Sequence, residues 1–388
     1  MLSFLLKNNT KSNYLSFLFF IIPISFIAGN LVLNLNIIFF IIFSIVFYGK
    51  SIFKINLQLI DKLILLFFSF VLIVGIYNFI DLHFFKGQDY ALKKNFAFSV
   101  LIKSILYTRY ILLYFILRFL IENKIINLKL FFISCTFSSI FVSLDLFYQF
   151  TFGKDIFGFE PSLEGKFSGP FDYEYIAGGY LQRFTLFSFF VLPFFYKINN
   201  KIYSSLFIIF LFLVYFTALL ITGNRMPLIL FVFMFFLIIL FEKELRKYFV
   251  YYLLAIVVTG VTLFYSSNLV KKNLNNFFNR IQVMSNSIVT KKFDQSNENS
   301  YFKEFRTFYG TWQMNKYIGG GVKSFRINCW QRKNIKSWER STCNTHPHNY
   351  YLEILTDLGI VGFLILSSIF LIVLYQSFIK KYFFSSFL

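Results

Sequence analysis

The chain has 388 residues, 57% of them hydrophobic and 23% aromatic, with 61 phenylalanines and only 14% charged. Soluble globular domains run nearer a quarter charged and under half apolar, so a soluble fold would leave too little polar surface to cover this sequence. The formal net charge of +20 would point to nucleic acid in a soluble protein; here the charges fall between apolar spans, so membrane topology accounts for them and no nucleic-acid partner is expected.

An apolar stretch of about 18 residues or more, nearly free of charge, is long enough to cross a bilayer at a rise of about 1.5 Å per residue. The first such run, 14–29, lacks a small-residue cleavage site and reads as a retained helix rather than a cleavable signal. Further spans are expected at 31–49, 62–80, 96–117, 130–151, 174–196, 202–222, 226–241, 249–267 and 348–378. Span 96–117 contains Lys103 and Arg109, which suits an interfacial first half, and the last span is long enough to begin as a surface helix. The expected fold class is all-α: a polytopic transmembrane helix bundle of about ten spans, twelve at most, with one large periplasmic loop region. Its segments are 1–129 (N-terminal transmembrane helices), 130–267 (core transmembrane helices with outer loop 152–173), 268–345 (the large loop) and 346–388 (C-terminal helix and cytoplasmic tail).

Orientation follows from the Lys/Arg bias of short loops. With the N-terminus inside, the inner segments hold 15 basic residues and the short outer loops six, and only loop 81–95 departs from the rule. Both termini are then cytoplasmic and 268–345 faces outward, its 14 basic and 4 acidic residues carrying half of the excess charge. Long loops translocate largely regardless of charge. Anionic lipid headgroups would suit that loop, and so would a phosphate-bearing substrate. Loop 152–173, with Asp155, Glu160, Glu164 and Asp172 among several glycines and two prolines, is too rich in turn residues for regular structure.

Ionisable residues inside spans are costly and usually mark a functional path. Arg183 falls about nine residues into its span, roughly 13 Å from the outer end; Arg225 lies in a TGNR turn between two spans; Asp145 is near the outer end of its span and Arg109 near the middle of its own. A buried ion pair such as Asp145 with Arg183 is the bland alternative. Arg109 suits a pair or snorkelling. Arg183 and Arg225 suit phosphate, because guanidinium binds phosphate oxygens bidentately and stays charged.

Two of the three histidines, His346 and His348, flank Pro347 in the segment STCNTHPHNYYLEILTDLGIVG. Pro347 is placed as the first helical residue, with His346 or Thr345 as cap. Asn349, Glu353 and Asp357 follow on one face, with Gly359 and Gly362 in the next turn. A neutral imidazole at a helix start could serve as general base, with Glu353 assisting a histidine or pairing with a membrane arginine; an ordinary cap with surface histidines is the bland counterpart. Cys329 and Cys343 share the same loop, where an oxidising compartment favours a disulfide. A zinc site of Cys329, Cys343, His346 and His348 is the alternative, though the pair lacks the short CxxC spacing. No metal is therefore expected.

Four patches together resemble the bacterial O-antigen ligase/polymerase superfamily of membrane glycosyltransferases: FSGPFDYEYIAGGYLQR at 167–183, LITGNR at 220–225, FRTFYGTWQMNKYIGGGVKSF at 305–325 and HPHNYYLEILTDLGIVG at 346–362. The likeness covers about residues 130–378, with Asn224 where the family has Ser and Tyr317-Ile318 where it has Pro-Leu. It implies glycan transfer in the bacterial inner membrane, on the periplasmic face, from undecaprenyl diphosphate to lipid A-core (a ligase) or to another lipid-linked repeat unit (a polymerase), with no cofactor. By the same likeness Arg183, Arg225 and Arg306 would hold the diphosphate, and His348 or His346 would activate the acceptor hydroxyl. A polysaccharide or lipid-glycan transporter, with ionisable residues near the midplane, and a non-catalytic scaffold are the readings from other classes.

Overall fold

The computed structural model describes residues 10–84, 90–161, 163, 165–195, 201–241, 246, 249–290, 300–332, 342–343 and 349–379. Helices stand at all ten expected positions. Helices α1 (Thr10–Phe20) and α2 (Ile22–Ile27) share the first, and α3 (Asn30–Tyr48), α4 (Leu59–Phe84), α5 (Tyr90–Glu122), α6 (Leu128–Phe152), α7 (Ala177–Phe195), α8 (Lys201–Ile221), α9 (Arg225–Phe241) and α10 (Phe249–Ser266) follow. The segment beyond is itself largely helical, with α11 (Asn268–Thr290), α12 (Ser300–Trp312) and the single turn α13 (Phe325–Asn328) before α14 (Tyr350–Ile379). Among the described residues, seven helical stretches are long and apolar enough to cross a membrane: Thr10–Ile27, Asn30–Phe53, Leu59–Asp81, Asn95–Glu122, Leu128–Phe152, Phe249–Ser266 and Tyr350–Gln376. Helices α8 and α9 add the shorter apolar stretches Leu206–Ile221 and Arg225–Leu237. Pairing between strands is limited, among the described residues, to an isolated bridge from Leu163 to Lys166. The chain is an all-α, multi-pass membrane protein.

It divides into two compact units, one of residues 1–49 and 120–282, the other of 50–119 and 283–388. In the first, α6 is central. Its buried Cys135, Ser138, Val142, Leu146 and Gln149 recur every three or four residues along one helix face, and its small side chains let α7 pack closely. Ser138 and Ser143 donate back to the carbonyls of Ser134 and Ser139 at 2.7 and 2.8 Å, so these two hydroxyls are satisfied within the helix. Asn127 caps the helix by accepting from the Lys129 N–H, and Gly153 ends it in a left-handed conformation. The abundant phenylalanine does the packing elsewhere: Phe212 of α8 stacks on Phe235 of α9 at 4.3 Å, and Tyr252 of α10 meets Phe235 edge-on at 5.1 Å. Such pairs add about 0.5–1.5 kcal/mol each beyond the area they bury.

In the second unit, Val71 and Val74 of α4 pack with Val322 and Leu358. Asp61, fully buried, fastens α4 to α5. Its Oδ2 reaches back to accept the Gln58 N–H at 2.6 Å, as an acidic residue in a helix's first turn does. Its Oδ1 accepts the Tyr114 hydroxyl at 2.6 Å, and the carboxylate also pairs with Arg118. Removing one partner of a buried pair leaves the other uncompensated, so Asp61→Ala should destabilise the protein by about 3–5 kcal/mol. Thermal unfolding of the detergent-solubilised variant would read this; a melting temperature equal to wild type would show that the pair contributes nothing.

Candidate functional site

The second unit is organised by an interlock between two glycine-containing segments. Helix α14 leaves helical geometry at Gly359, where φ is 63° and ψ −167°. Across the break the N–H groups of Ile360 and Val361 donate to the carbonyls of Lys316 and Tyr317 at 2.9 and 3.1 Å. In return, the N–H groups of Gly320 and Gly321 donate to the carbonyls of Thr356 and Asp357 at 2.9 and 2.8 Å. The backbones approach so closely that a Cβ on Gly319 would lie 2.4 Å from the Asp357 carbonyl, and one on Gly359 would lie 2.3 Å from that of Tyr317. Both positions require glycine, sterically and for their positive φ.

The turn then forms a small anion-binding concavity, and Asp357 fills it. Lys323 is left-handed (φ 63°) and Ser324 right-handed, so their successive N–H groups converge. They donate to the two carboxylate oxygens of Asp357 at 2.7 and 3.2 Å, and the Ser324 hydroxyl lies 3.3 Å from the same carboxylate. A non-glycine residue in this conformation costs roughly 1–2 kcal/mol, which these bonds offset. One turn earlier, Glu353 holds the Lys323 ammonium at 2.7 Å. Burial would lower the Lys323 pKa; the hydrogen bond and charge of Glu353, with Tyr107 and Asp357, outweigh it and raise it. Lys323 is therefore a fixed cation.

Beside this turn opens a cleft of about 340 Å³, lined by Lys103, Leu106, Tyr107 and Arg109 of α5 and by Val322, Lys323 and Arg326. Arg109 donates to the Tyr110 hydroxyl at 2.9 Å, its guanidinium 4.8 Å from that ring's centre.

Cys329 and Cys343 are joined as a disulfide, with Cα atoms 5.7 Å apart, the first of the two arrangements that the sequence allows. The bridge is packed with Phe308 and Phe325, whose rings lie 4.2 Å apart, and with Leu352 of α14. Closing a loop of about 15 residues stabilises by about 3 kcal/mol in the chain-entropy model. A Cys329→Ser/Cys343→Ser variant should lose that amount, read as a fall in melting temperature that reductant reproduces in the wild type. An unchanged melting temperature in both would refute it.

In the first unit, Asp145 and Gln149 at the end of α6 build the loop that follows. Asp145 Oδ1 accepts the Ile156 N–H at 2.8 Å; Gln149 donates to the Phe159 carbonyl at 3.2 Å and accepts the Gly169 N–H at 2.9 Å. The loop is thus irregular, as its turn residues predict, but fastened. The TGNR turn is held by the Asn224 side chain, which donates to the Tyr175 carbonyl at 2.9 Å. It starts α9 at Arg225, whose guanidinium lies 5.7 Å from the Phe277 ring centre. Arg183 is exposed on α7.

Of the residues singled out from sequence, Arg183 and Arg225 thus belong to the first unit, Arg306 (exposed on α12) and Glu353 to the second. His346 and His348 lie outside the described residues. Asn349 Oδ1 accepts the Tyr351 and Leu352 N–H groups at 2.9 and 3.4 Å and so caps α14 at Tyr350; Pro347, expected as the first helical residue, lies outside the described residues. Asn349 and Asp357 therefore serve the backbone, and Glu353 serves Lys323. Sequence reasoning missed Lys323 and Arg326; the signal was present in a glycine run with two basic residues close behind it, GGGVKSFR.

A family model described as O-antigen ligase (Wzy_C) matches residues 208–367. No curated protein matches the chain. The matched segment holds the TGNR turn, the disulfide and both halves of the glycine interlock. Residues 208–367 of this multi-pass membrane chain are thus similar to the O-antigen ligase family, which supports the likeness to the O-antigen ligase/polymerase superfamily.

Proposed function

We propose that the chain transfers a glycan from undecaprenyl diphosphate to lipid A-core at the periplasmic face of the bacterial inner membrane, with both termini in the cytoplasm. The observation that carries this reading is the extent of the family match: residues 208–367 contain Arg225, Arg306, His346, His348 and Glu353. In the reaction, the acceptor hydroxyl attacks the anomeric carbon as its bond to the diphosphate oxygen breaks. His348 or His346 accepts the hydroxyl proton as general base. Arg183, Arg225 and Arg306 bind the diphosphate, offsetting the charge that develops on it. Glu353 contributes by fixing Lys323. A lipid diphosphate is already a good leaving group, so the chemistry calls for no metal or cofactor.

Complementation tests the proposal. In a host lacking its O-antigen ligase, the gene should restore glycan-capped lipid A-core; in a host lacking its polymerase, chain-length ladders should stay absent. Ladders alone would move the activity to polymerisation. Neither product, with the protein present in the membrane, would overturn the transferase reading.

A further inference from the structure

We propose that the cleft between α5 and the GGGVKSFR turn is a binding site for a phosphoryl dianion, carried on a membrane lipid or free. Its residues are distinct from the three arginines given to the donor diphosphate above, and the proposal stands whether or not the glycan-transfer reading does.

Charge is the first argument. Lys103, Arg109, Lys323 and Arg326 all line the cleft. The nearby carboxylates are Glu353, paired with Lys323, and Asp357, held by the turn's backbone. The cations outnumber these carboxylates, and both carboxylates are already engaged, which leaves positive charge for an anion to offset. Placement is the second argument. Lys103 lies about 12 Å along the apolar stretch that starts at Asn95, and Arg109 about 21 Å along it, near its middle. A charged side chain within a span is rare unless it faces a cavity and meets a partner. Yet the Arg109 Nε is buried with no acceptor among the described residues. Construction is the third argument. Lys323 is fixed by Glu353 and by the glycine interlock, and Arg326 follows one turn later with its Nε 3.4 Å from the Lys323 carbonyl. The cations are thus presented from two rigid elements, at a volume within the usual range of small-ligand sites, about 300–1,000 Å³. Two guanidinium forks favour planar, bidentate contact with phosphoryl oxygens over contact with a monovalent anion.

The test uses the full chain in detergent and in phosphatidylcholine nanodiscs with or without phosphatidic acid. Native mass spectrometry reads lipid adducts, and calorimetry reads binding of inorganic phosphate and pyrophosphate. Wild type should bind at least one of these, more weakly as salt rises. Lys103→Gln and Arg326→Gln, on separate elements, should each weaken binding about tenfold, whereas Arg326→Lys should retain more of it than Arg326→Gln. Retention of phosphatidic acid that pyrophosphate fails to displace identifies a lipid headgroup as the source; the converse identifies a free or exposed phosphoryl group. Absence of all binding to wild type, salt-independent binding, or wild-type affinity in both glutamine variants would each overturn the proposal. The salt and wild-type arms decide it even where a variant does not fold.

Discussion

Arg225→Ala and His348→Ala should each lower glycan transfer by about a hundredfold or more while leaving the protein in the membrane. The magnitude follows from removing one preorganised charge or proton acceptor from a transition state, about 10²–10³ for a single electrostatic group and 10²–10⁴ for a general base. For Arg225 the structural cost should be small. The TGNR turn is fixed by Asn224 on the Tyr175 carbonyl, a bond the arginine does not share, and the guanidinium's ring contact with Phe277 is long. Arg225→Lys should fall between wild type and alanine, since it keeps the charge and loses the two-pronged geometry. Surface polysaccharide scored on gels, beside membrane levels of each variant, provides the measurement. Wild-type polysaccharide in either alanine variant would remove that residue from the site.

The second large effect is structural. Gly359→Ala should cost about 2–5 kcal/mol, the sum of an unfavourable backbone conformation and of forcing a methyl group into occupied space. With φ 63° and ψ −167°, Gly359 sits in a region essentially closed to other residues. The added carbon would lie 2.3 Å from the Tyr317 carbonyl, which cannot retreat without losing its bond from Val361. Gly260→Ala, in the middle of α10 with no atom within 4 Å of the new carbon, is the control and should be tolerated. Protease resistance and melting temperature in detergent compare the two. Equal stability would mean that the interlock between residues 316–321 and 356–361 is not what holds this unit together.

What the sequence shows of this protein depends on how local the physics is. Helix positions are local: apolar length alone places α3, α6 or α10, and the structure agrees within a few residues. Caps are less so. Asn349 reads from sequence as one polar residue on a helix face, yet its carbonyl side chain satisfies two free N–H groups and α14 starts after it. The break at Gly359 cannot be read from one sequence, because its cause is a partner segment about forty residues away. The same holds for Asp357, which looks like a charge on a helix face and is a ligand for the Lys323 and Ser324 N–H groups. Arg109 is the clearest case: a charge near the middle of a span suits snorkelling or pairing, and only the fold shows Lys103, Lys323 and Arg326 around the same cleft.

The discontinuity at Gly359 also divides α14 into two parts suited to different media. From Ile360 to Ile379 there are twenty residues without one Asp, Glu, Lys or Arg, about 30 Å of rod, which equals the hydrocarbon thickness. That part can cross the bilayer unaided. The nine residues before the glycine carry Glu353 and Asp357, and their charges are met by the Lys323 ammonium and the turn's N–H groups, so the acidic half is matched by protein while the chain behind it is suited to oil.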